Sequence, residues 1–101
     1  MLQRNEIFSI VQEVFKGLEE SGVVTNAVDL NEDVVLLGSG AVLNSIGFVT
    51  MFTDLEDRLG ERTGSEVYLL LDEIHEFNQG NAFLTVGVLL DFIEKLLKEL
   101  G

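Results

Sequence analysis

The chain contains no cysteine, no proline and no tryptophan, and only 6 of its 101 residues are lysine or arginine. Without cysteine, a disulfide, a thiolate metal site and a cysteine nucleophile are all excluded. The single histidine, His75, leaves too few ligands for a classical zinc site. Any thiol chemistry would therefore have to come from a group that is added to the chain.

The scarcity of bases leaves the protein strongly negative. Against the 6 bases stand 18 acids, which gives a formal net charge of −12. Such a field repels nucleic-acid phosphates and anionic membrane surfaces, and it attracts proteins with basic patches. We therefore expect partner proteins with basic surfaces and no nucleic-acid partner.

Length and hydropathy predict a single small domain. A chain of 101 residues of which 47% are hydrophobic can bury one modest core. No apolar run reaches the roughly 18–20 residues that a membrane-spanning helix needs. The first fifteen residues carry acids within their apolar pattern, which is not the layout of a signal peptide. We expect one monomeric domain over residues 1–101, without a membrane span, in the cytoplasm.

Apolar residues at spacings of three and four predict the helices. The pattern indicates long helices over residues 2–18, over residues 45–59 and from Thr85 onwards, and a short one over residues 72–77. The predicted buried face of the second helix consists of Ile46, Val49, Phe52, Leu55 and Leu59. Gly60 and Gly64 are its stop signals. The predicted fold class is all-α, a small bundle of three main helices plus one short helix.

A long loop, residues 19–43, is predicted between the first and second helices. Its apolar runs at residues 23–24 and 34–37 would also suit short strands, but we favour a loop that is pinned to the core by its apolar residues. Residues 67–71 could be extended. Residues 78–81, with the sequence NQGN, should end the short helix.

Several catalytic and ligand motifs fail on inspection. Residues 29–33 begin like a calcium-binding loop, but Val34 stands where a glycine is needed and Gly40 where a bidentate glutamate belongs. A catalytic triad would have to use His75, and nothing in the spacing favours it. The sequence GSG at residues 38–40 is too short for a phosphate loop. With no convincing autonomous active site, we expect a protein that is not an enzyme.

Between Gly17 and Asp57 every charged residue is an acid. This span covers the long loop and most of the second predicted helix, so it forms a negative field without bases of its own. A solvated acidic surface explains the pattern, and so does a docking face for basic partners. The same span contains Ser45 at a predicted helix start. Asn44 or Ser45 would serve there as an N-cap, and a phosphate attached to Ser45 would also lie in a favourable field.

Three motifs together resemble the acyl carrier protein family, the carriers that bear phosphopantetheine. LNSIG at residues 43–47 is similar to the family's Asp-Ser-Leu motif, and LEDRL at residues 55–59 stands at the place of its acidic stretch. TVGVL at residues 85–89 is similar to the Thr-Val-Gly-x-Leu that begins the family's last helix. The resemblance extends from about residue 6 to residue 97. The order and spacing of the motifs are more specific than any one of them.

The resemblance implies a function and a set of residues. Ser45 would be the attachment point for phosphopantetheine, which a phosphopantetheinyl transferase adds from coenzyme A. The arm would carry an acyl group as a thioester between acyl-loading and acyl-using enzymes, as in lipid or fatty acid biosynthesis. Basic patches of these enzymes would dock on Asp54, Glu56, Asp57 and Glu61.

Asn44 departs from the family's pattern, which usually has aspartate before the serine. Asparagine keeps the hydrogen-bonding capacity and loses the charge, so modification would be slower or absent. Two alternatives therefore stay open, a carrier-like interaction module that is not modified and an aminoacyl carrier. Gly47 after Ser45 and Ile46 resembles carriers that hold amino acids, but one glycine does not decide between them. The cargo also stays open among fatty acyl, polyketide, amino-acid and specialised lipid groups. The candidates for the interior, as ordinary core or as shelter for a cargo chain, are Ile46, Val49, Phe52 and Leu89.

Overall fold

Four helices and two short strands make up the described part of the chain. A computed structural model describes residues 2–22, 29–38, 40, 41, 43–79, 81 and 83–100, and for Ser45 and Leu100 it describes the backbone alone. The elements are α1 (Arg4–Glu20), β1 (Val35–Leu37), α2 (Ser45–Thr63), α3 (Leu71–Phe77), β2 (Leu84–Thr85) and α4 (Val86–Leu100). The fold is a small all-α bundle of three long helices and one short helix, as predicted.

The core lies between the three long helices, and α1 packs against both α2 and α4. The apolar stripe of α1 is buried as expected, with Ile7, Ile10, Val11, Val14, Phe15 and Leu18. The buried face of α4 consists of Val86, Leu89, Leu90, Phe92, Ile93 and Leu97. None of the helices in the described residues is both long enough and apolar enough to cross a membrane.

The buried face of α2 differs from the predicted one. It consists of Phe48, Met51, Phe52, Leu55 and Leu59. The prediction that Ile46 and Val49 are buried is wrong, because their side chains are 74% and 64% exposed. At about 100° per residue, Ile46 points roughly 160° away from Phe48, so the two cannot share a face. Ile46 and Val49 therefore belong to the surface and not to the interior.

α2 also continues beyond the predicted end at Leu59. The helix passes through Gly60 and ends at Gly64, which has a left-handed backbone (φ 72°) and donates its N–H to the Gly60 carbonyl at 2.9 Å. A Cβ atom on Gly60 would lie 3.3 Å from the Ser65 carbonyl oxygen. Gly60 thus allows the returning chain to pass close to the helix, and Gly64 is the residue that ends it.

Part of the long connection between α1 and α2 is a strand. β1 pairs antiparallel with β2, with Val35 opposite Thr85 and Leu37 opposite Leu84. The prediction of a loop is therefore wrong at residues 35–37. The expectation that apolar residues attach this connection to the core agrees with Leu36, which is fully buried. The pairing partner lies near the other end of the chain, where no local sequence pattern indicates it. Residues 23–24, the other possible strand, lie outside the described residues.

The backbone of this connection also caps α4. The N–H groups of Val86 and Gly87 donate to the carbonyls of Val34 (3.0 Å) and Glu32 (2.9 Å). These are donors that a helix start leaves without partners inside the helix. A Cβ atom on Gly87 would lie 3.2 Å from the Glu32 carbonyl oxygen. Gly87, the glycine of the TVGVL motif, therefore lies where the backbone of the long connection comes close to the backbone of α4.

The start of α4 and the short helix α3 agree with the prediction. Thr85 Oγ1 accepts the N–H of Val88 at 3.3 Å, which is the predicted N-cap hydrogen bond. α3 covers Leu71–Phe77, one residue more than predicted, and Asn78 follows as its C-cap. Residues 66–70 form neither helix nor strand.

Candidate functional site

Ser45 is the first residue of α2, the position at which the motif predicts it. The preceding residue, Asn44, has an extended backbone (φ −84°, ψ −179°), and its Oδ1 accepts the N–H of Gly47 at 2.8 Å. Of the two residues predicted as possible N-caps, Asn44 and Ser45, Asn44 is therefore the one that caps α2. The side chain of Ser45 lies outside what the structure describes.

The start of α2 is suited to an attached phosphate. By helix geometry, the N–H groups of Ser45 and Ile46 have no partner within the helix, and the helix dipole favours negative charge there. The first turn of α2 contains no acid that would repel a phosphate. Ile46 and Val49 are exposed, so apolar surface borders this end of the helix.

The four acids predicted as docking residues fall into two groups. Asp54 accepts a hydrogen bond from Arg58 Nε at 3.1 Å, and Glu56 accepts the backbone N–H of Leu69 at 2.7 Å. Both carboxylates are half-buried, whereas Asp57 and Glu61 are exposed. Asp54 and Glu56 therefore serve the fold, and Asp57 and Glu61 are the pair presented to solvent.

The span 17–57 has no base of its own, but two arginines from outside it neutralise acids within it, so the expected lack of local neutralisation is wrong. Arg58 bridges Asp54 and Glu13 of α1 at 3.1 Å each, and these carboxylates raise its pKa, the hydrogen bond to Asp54 foremost. Arg4 reaches Glu32 in the long connection at 2.6 Å. Both arginines lie outside the base-free span in sequence and next to it in space.

Arg4 joins three parts of the molecule through carboxylates. It pairs with Glu32 and, on α4, with Asp91 at 2.7 Å and with Glu94. The Glu32 hydrogen bond is the largest cause that raises the pKa of Arg4, and the same bond lowers the pKa of Glu32. A single guanidinium thereby holds the start of α1, the long connection and α4 together.

A groove that sequence reasoning missed lies at the other end of α2. It has a volume of about 600 Å³, and its side chains include Glu56, Asp57, Glu61, Glu66, Val67 and Tyr68. The Tyr68 hydroxyl donates to Glu66 at 2.6 Å, and this carboxylate raises the pKa of Tyr68. Gly60, which also lines the groove, is about 22 Å from Ser45 along the helix axis. The groove is therefore separate from the Ser45 site.

Of the rejected motifs, residues 29–33 and His75 lie within the described residues. The described residues contain no group of three or more His, Asp or Glu that could hold a metal ion. Residues 29–33 include an ordinary turn in which Asn31 Oδ1 accepts the N–H of Asp33 at 2.9 Å. His75 is exposed on α3.

Comparisons with known proteins leave the function to be argued from the residues. Neither protein-family models, nor curated proteins, nor solved structures gave a match. The resemblance of residues 43–47, 55–59 and 85–89 to the carrier motifs therefore stays a hypothesis, and the geometry around Ser45 is what supports it.

Proposed function

We propose that the protein is a stand-alone acyl carrier protein, modified with phosphopantetheine on Ser45. The observation that carries the proposal is that Ser45 of the LNSIG motif begins α2, directly after the cap Asn44. When bound, the arm supplies a thiol that holds an acyl group as a thioester, a group that this cysteine-free chain lacks. The protein presents the cargo, and its partner enzymes carry out the chemistry.

The chain's own residues would bind and position the phosphate. Asn44 takes the Gly47 N–H, so the N–H groups of Ser45 and Ile46 remain for an anion at the helix start. The helix dipole adds to this attraction, and the nearest acids of α2 lie beyond its first turn. These features support a phosphodiester at Ser45 over attachment elsewhere on α2.

We assign partner docking first to Asp57 and Glu61. Both are exposed, whereas Asp54 and Glu56 already have partners within the protein. Ile46 and Val49, exposed nearer to Ser45, add an apolar contact on the same helix. Basic patches on the transferase and on acyl-using enzymes fit this acidic and apolar helix surface.

An interaction module without an arm is the second candidate. The exposed Ile46 and Val49 support it as well as they support the carrier, because an apolar surface on a docking helix is useful whether or not Ser45 is modified. This candidate predicts that binding to a basic partner survives the substitution Ser45→Ala.

Modification of Ser45 is the direct test of the proposed function. We expect incubation with coenzyme A and a broad-specificity phosphopantetheinyl transferase to add one phosphopantetheine to the wild-type protein, measured by intact-mass spectrometry. Ser45→Ala should abolish the gain in mass. The control variant Ser65→Ala, at an exposed serine outside the LNSIG motif, should be modified like the wild type.

A second variant separates a slow carrier from a protein that is no carrier. Asn44→Asp restores the family's usual residue, and because aspartate and asparagine cap helices equally well, α2 should be unaffected. We expect this variant to be modified faster than the wild type. If neither protein gains mass with a transferase that modifies another carrier, the proposal is wrong.

Charge reversal on α2 tests the docking assignment. We expect Asp57→Lys with Glu61→Lys to lower the rate of modification by about tenfold at low salt, because the substitutions weaken electrostatic attraction. The matched control is Glu73→Lys with Glu76→Lys, which changes the net charge equally on the exposed surface of α3. An equal loss in both double variants would show that net charge acts rather than a docking site on α2.

A further inference from the structure

Residues 66–70, here called the strap, connect the end of α2 to α3. The strap is neither helix nor strand, and its side chains alternate between inside and outside. Val67 and Leu69 are each 5% exposed and belong to the core, whereas Glu66, Tyr68 and Leu70 face solvent. Two apolar side chains thus anchor the strap in the core, and the strap lines one groove with the C-terminal half of α2.

One hydrogen bond adds to these apolar contacts. The Leu69 N–H donates to Glu56 Oε2 at 2.7 Å. Within the described residues, this is the hydrogen bond that joins the strap to α2. Because the acceptor is a carboxylate, the bond belongs to the stronger, charge-assisted class.

Electrostatic repulsion acts against this closed arrangement. Glu66 of the strap lines the same groove as Asp57 and Glu61 of α2. Glu56, Glu66 and Tyr68 line this groove together, and the Tyr68 hydroxyl donates to Glu66 at 2.6 Å. The hydrogen bond to Glu66 is the largest cause that raises the pKa of Tyr68, and the charge of Glu56 adds to the rise. Like charges on the two walls of a groove favour its opening, so the Glu56 bond adds to the burial of Val67 and Leu69 in keeping the strap closed.

We propose that Glu56 is a latch that holds the strap closed and that a basic side chain which binds Glu56 opens it. The carboxylate has two alternative partners, the Leu69 N–H and a cation of a docking protein. The second half of this inference rests on the proposed docking to α2, and the latch itself does not. Because α3 begins at Leu71, directly after the strap, and is only seven residues long, opening should also loosen α3.

Amide hydrogen exchange of the full chain, measured by NMR, tests the latch. We expect Glu56→Ala to raise the exchange rate of the Leu69 amide by at least about tenfold, which corresponds to about 1.4 kcal/mol. The amides of Ile74 and Asn78, which close α3, should follow, while those within α1 and α4 keep their rates. Glu56→Gln, which keeps an oxygen acceptor but not the charge, should give an intermediate rate.

The neighbouring acid provides the matched control. Asp57→Ala removes a charge from the same groove without removing the bond to Leu69, so exchange at Leu69 should stay the same or become slower. An unchanged Leu69 rate in Glu56→Ala, or an equal rise in all helices, would overturn the latch.

The coupling to a partner is tested with the transferase itself. The Ser45→Ala protein remains unmodified, so it can be held in complex with the transferase and coenzyme A. We expect faster deuterium uptake in peptides that cover residues 66–77 on binding, measured by mass spectrometry. Unchanged or slower uptake in the complex would overturn the coupling, whereas failure of the proposed function would appear as a missing mass gain in the wild type.

Discussion

Met51→Ala should lower the free energy of unfolding by about 2–5 kcal/mol, whereas Val49→Ala should leave it within about 0.5 kcal/mol. The two residues lie on the same helix, but Met51 is fully buried and Val49 is 64% exposed. Truncating Met51 leaves a cavity in the core, while alanine at position 49 loses little buried surface and has the higher helix propensity. Urea denaturation with an unchanged m-value measures both effects.

The pair of variants decides which face of α2 is buried. Ile46→Ala serves as a second surface substitution, and we expect it to behave like Val49→Ala because Ile46 is 74% exposed. If Val49→Ala and Ile46→Ala were as destabilising as Met51→Ala, the sequence-based assignment of the stripe would be right. The apolar docking surface next to Ser45 would then not exist.

Arg4→Gln is the second substitution with a large expected effect. We expect it to lower the free energy of unfolding by about 1–2 kcal/mol, a modest value because solvent screens this partly exposed network. Without the guanidinium, Glu32, Asp91 and Glu94 face one another without a cation between them. Arg62→Gln is the control, because Arg62 is more exposed and pairs with one acid of the described residues, Glu6, at 3.6 Å. Its loss should be about 0–0.5 kcal/mol. Equal losses for the two variants would contradict a special role of Arg4.

The pH dependence of the same variant follows from the pKa of Glu32. Arg4 lowers this pKa below its ordinary value of 4.5, so the folded protein binds this proton less readily than the unfolded chain. The resulting stabilisation is present above pH 4.5 and is lost as the pH falls through the lowered pKa. Arg4→Gln lacks this contribution. The difference in unfolding free energy between wild type and variant should therefore shrink on acidification below pH 4.5, and added salt should also reduce it.

The helices of this protein could be predicted because their apolar residues repeat at helical spacing. The apolar stripe of α1 is buried as its spacing indicates. On α4 the pattern also indicates Leu96, which is only partly buried, and it misses Phe92, which is buried. The helix ends were less certain, since α1 begins at Arg4 rather than residue 2 and α2 continues from Leu59 to Thr63. The prediction that glycine ends α2 is confirmed at Gly64 and wrong at Gly60. At Gly60 the close Ser65 backbone, and not a helix end, accounts for the glycine.

The face of α2 could not be predicted because the helix carries apolar residues on two sides. Ile46 and Val49 fit a helical spacing with Phe52, and Phe48 and Met51 fit another. Hydropathy alone does not distinguish a core face from an exposed apolar face. The neighbouring helices decide it, since the packing of α1 on α2 leaves room for only one of the two.

For the candidate site, the sequence by itself determined the residue types and their order: a serine after a helix cap, a glycine-bearing start to the last helix, a base-poor acidic span and no thiol. These follow from local patterns that need no knowledge of distant contacts. The tertiary structure alone decided which acids remain available. Arg4 and the Leu69 N–H reach Glu32 and Glu56 from other segments. Asp54 differs, because its partner Arg58 is four residues further along α2 itself. The pairs of Glu32 and Glu56 form only when the core has brought helices and connections together, whereas the pair of Asp54 needs only the helix. The folded protein is therefore needed to show that Asp57 and Glu61 are the exposed acids.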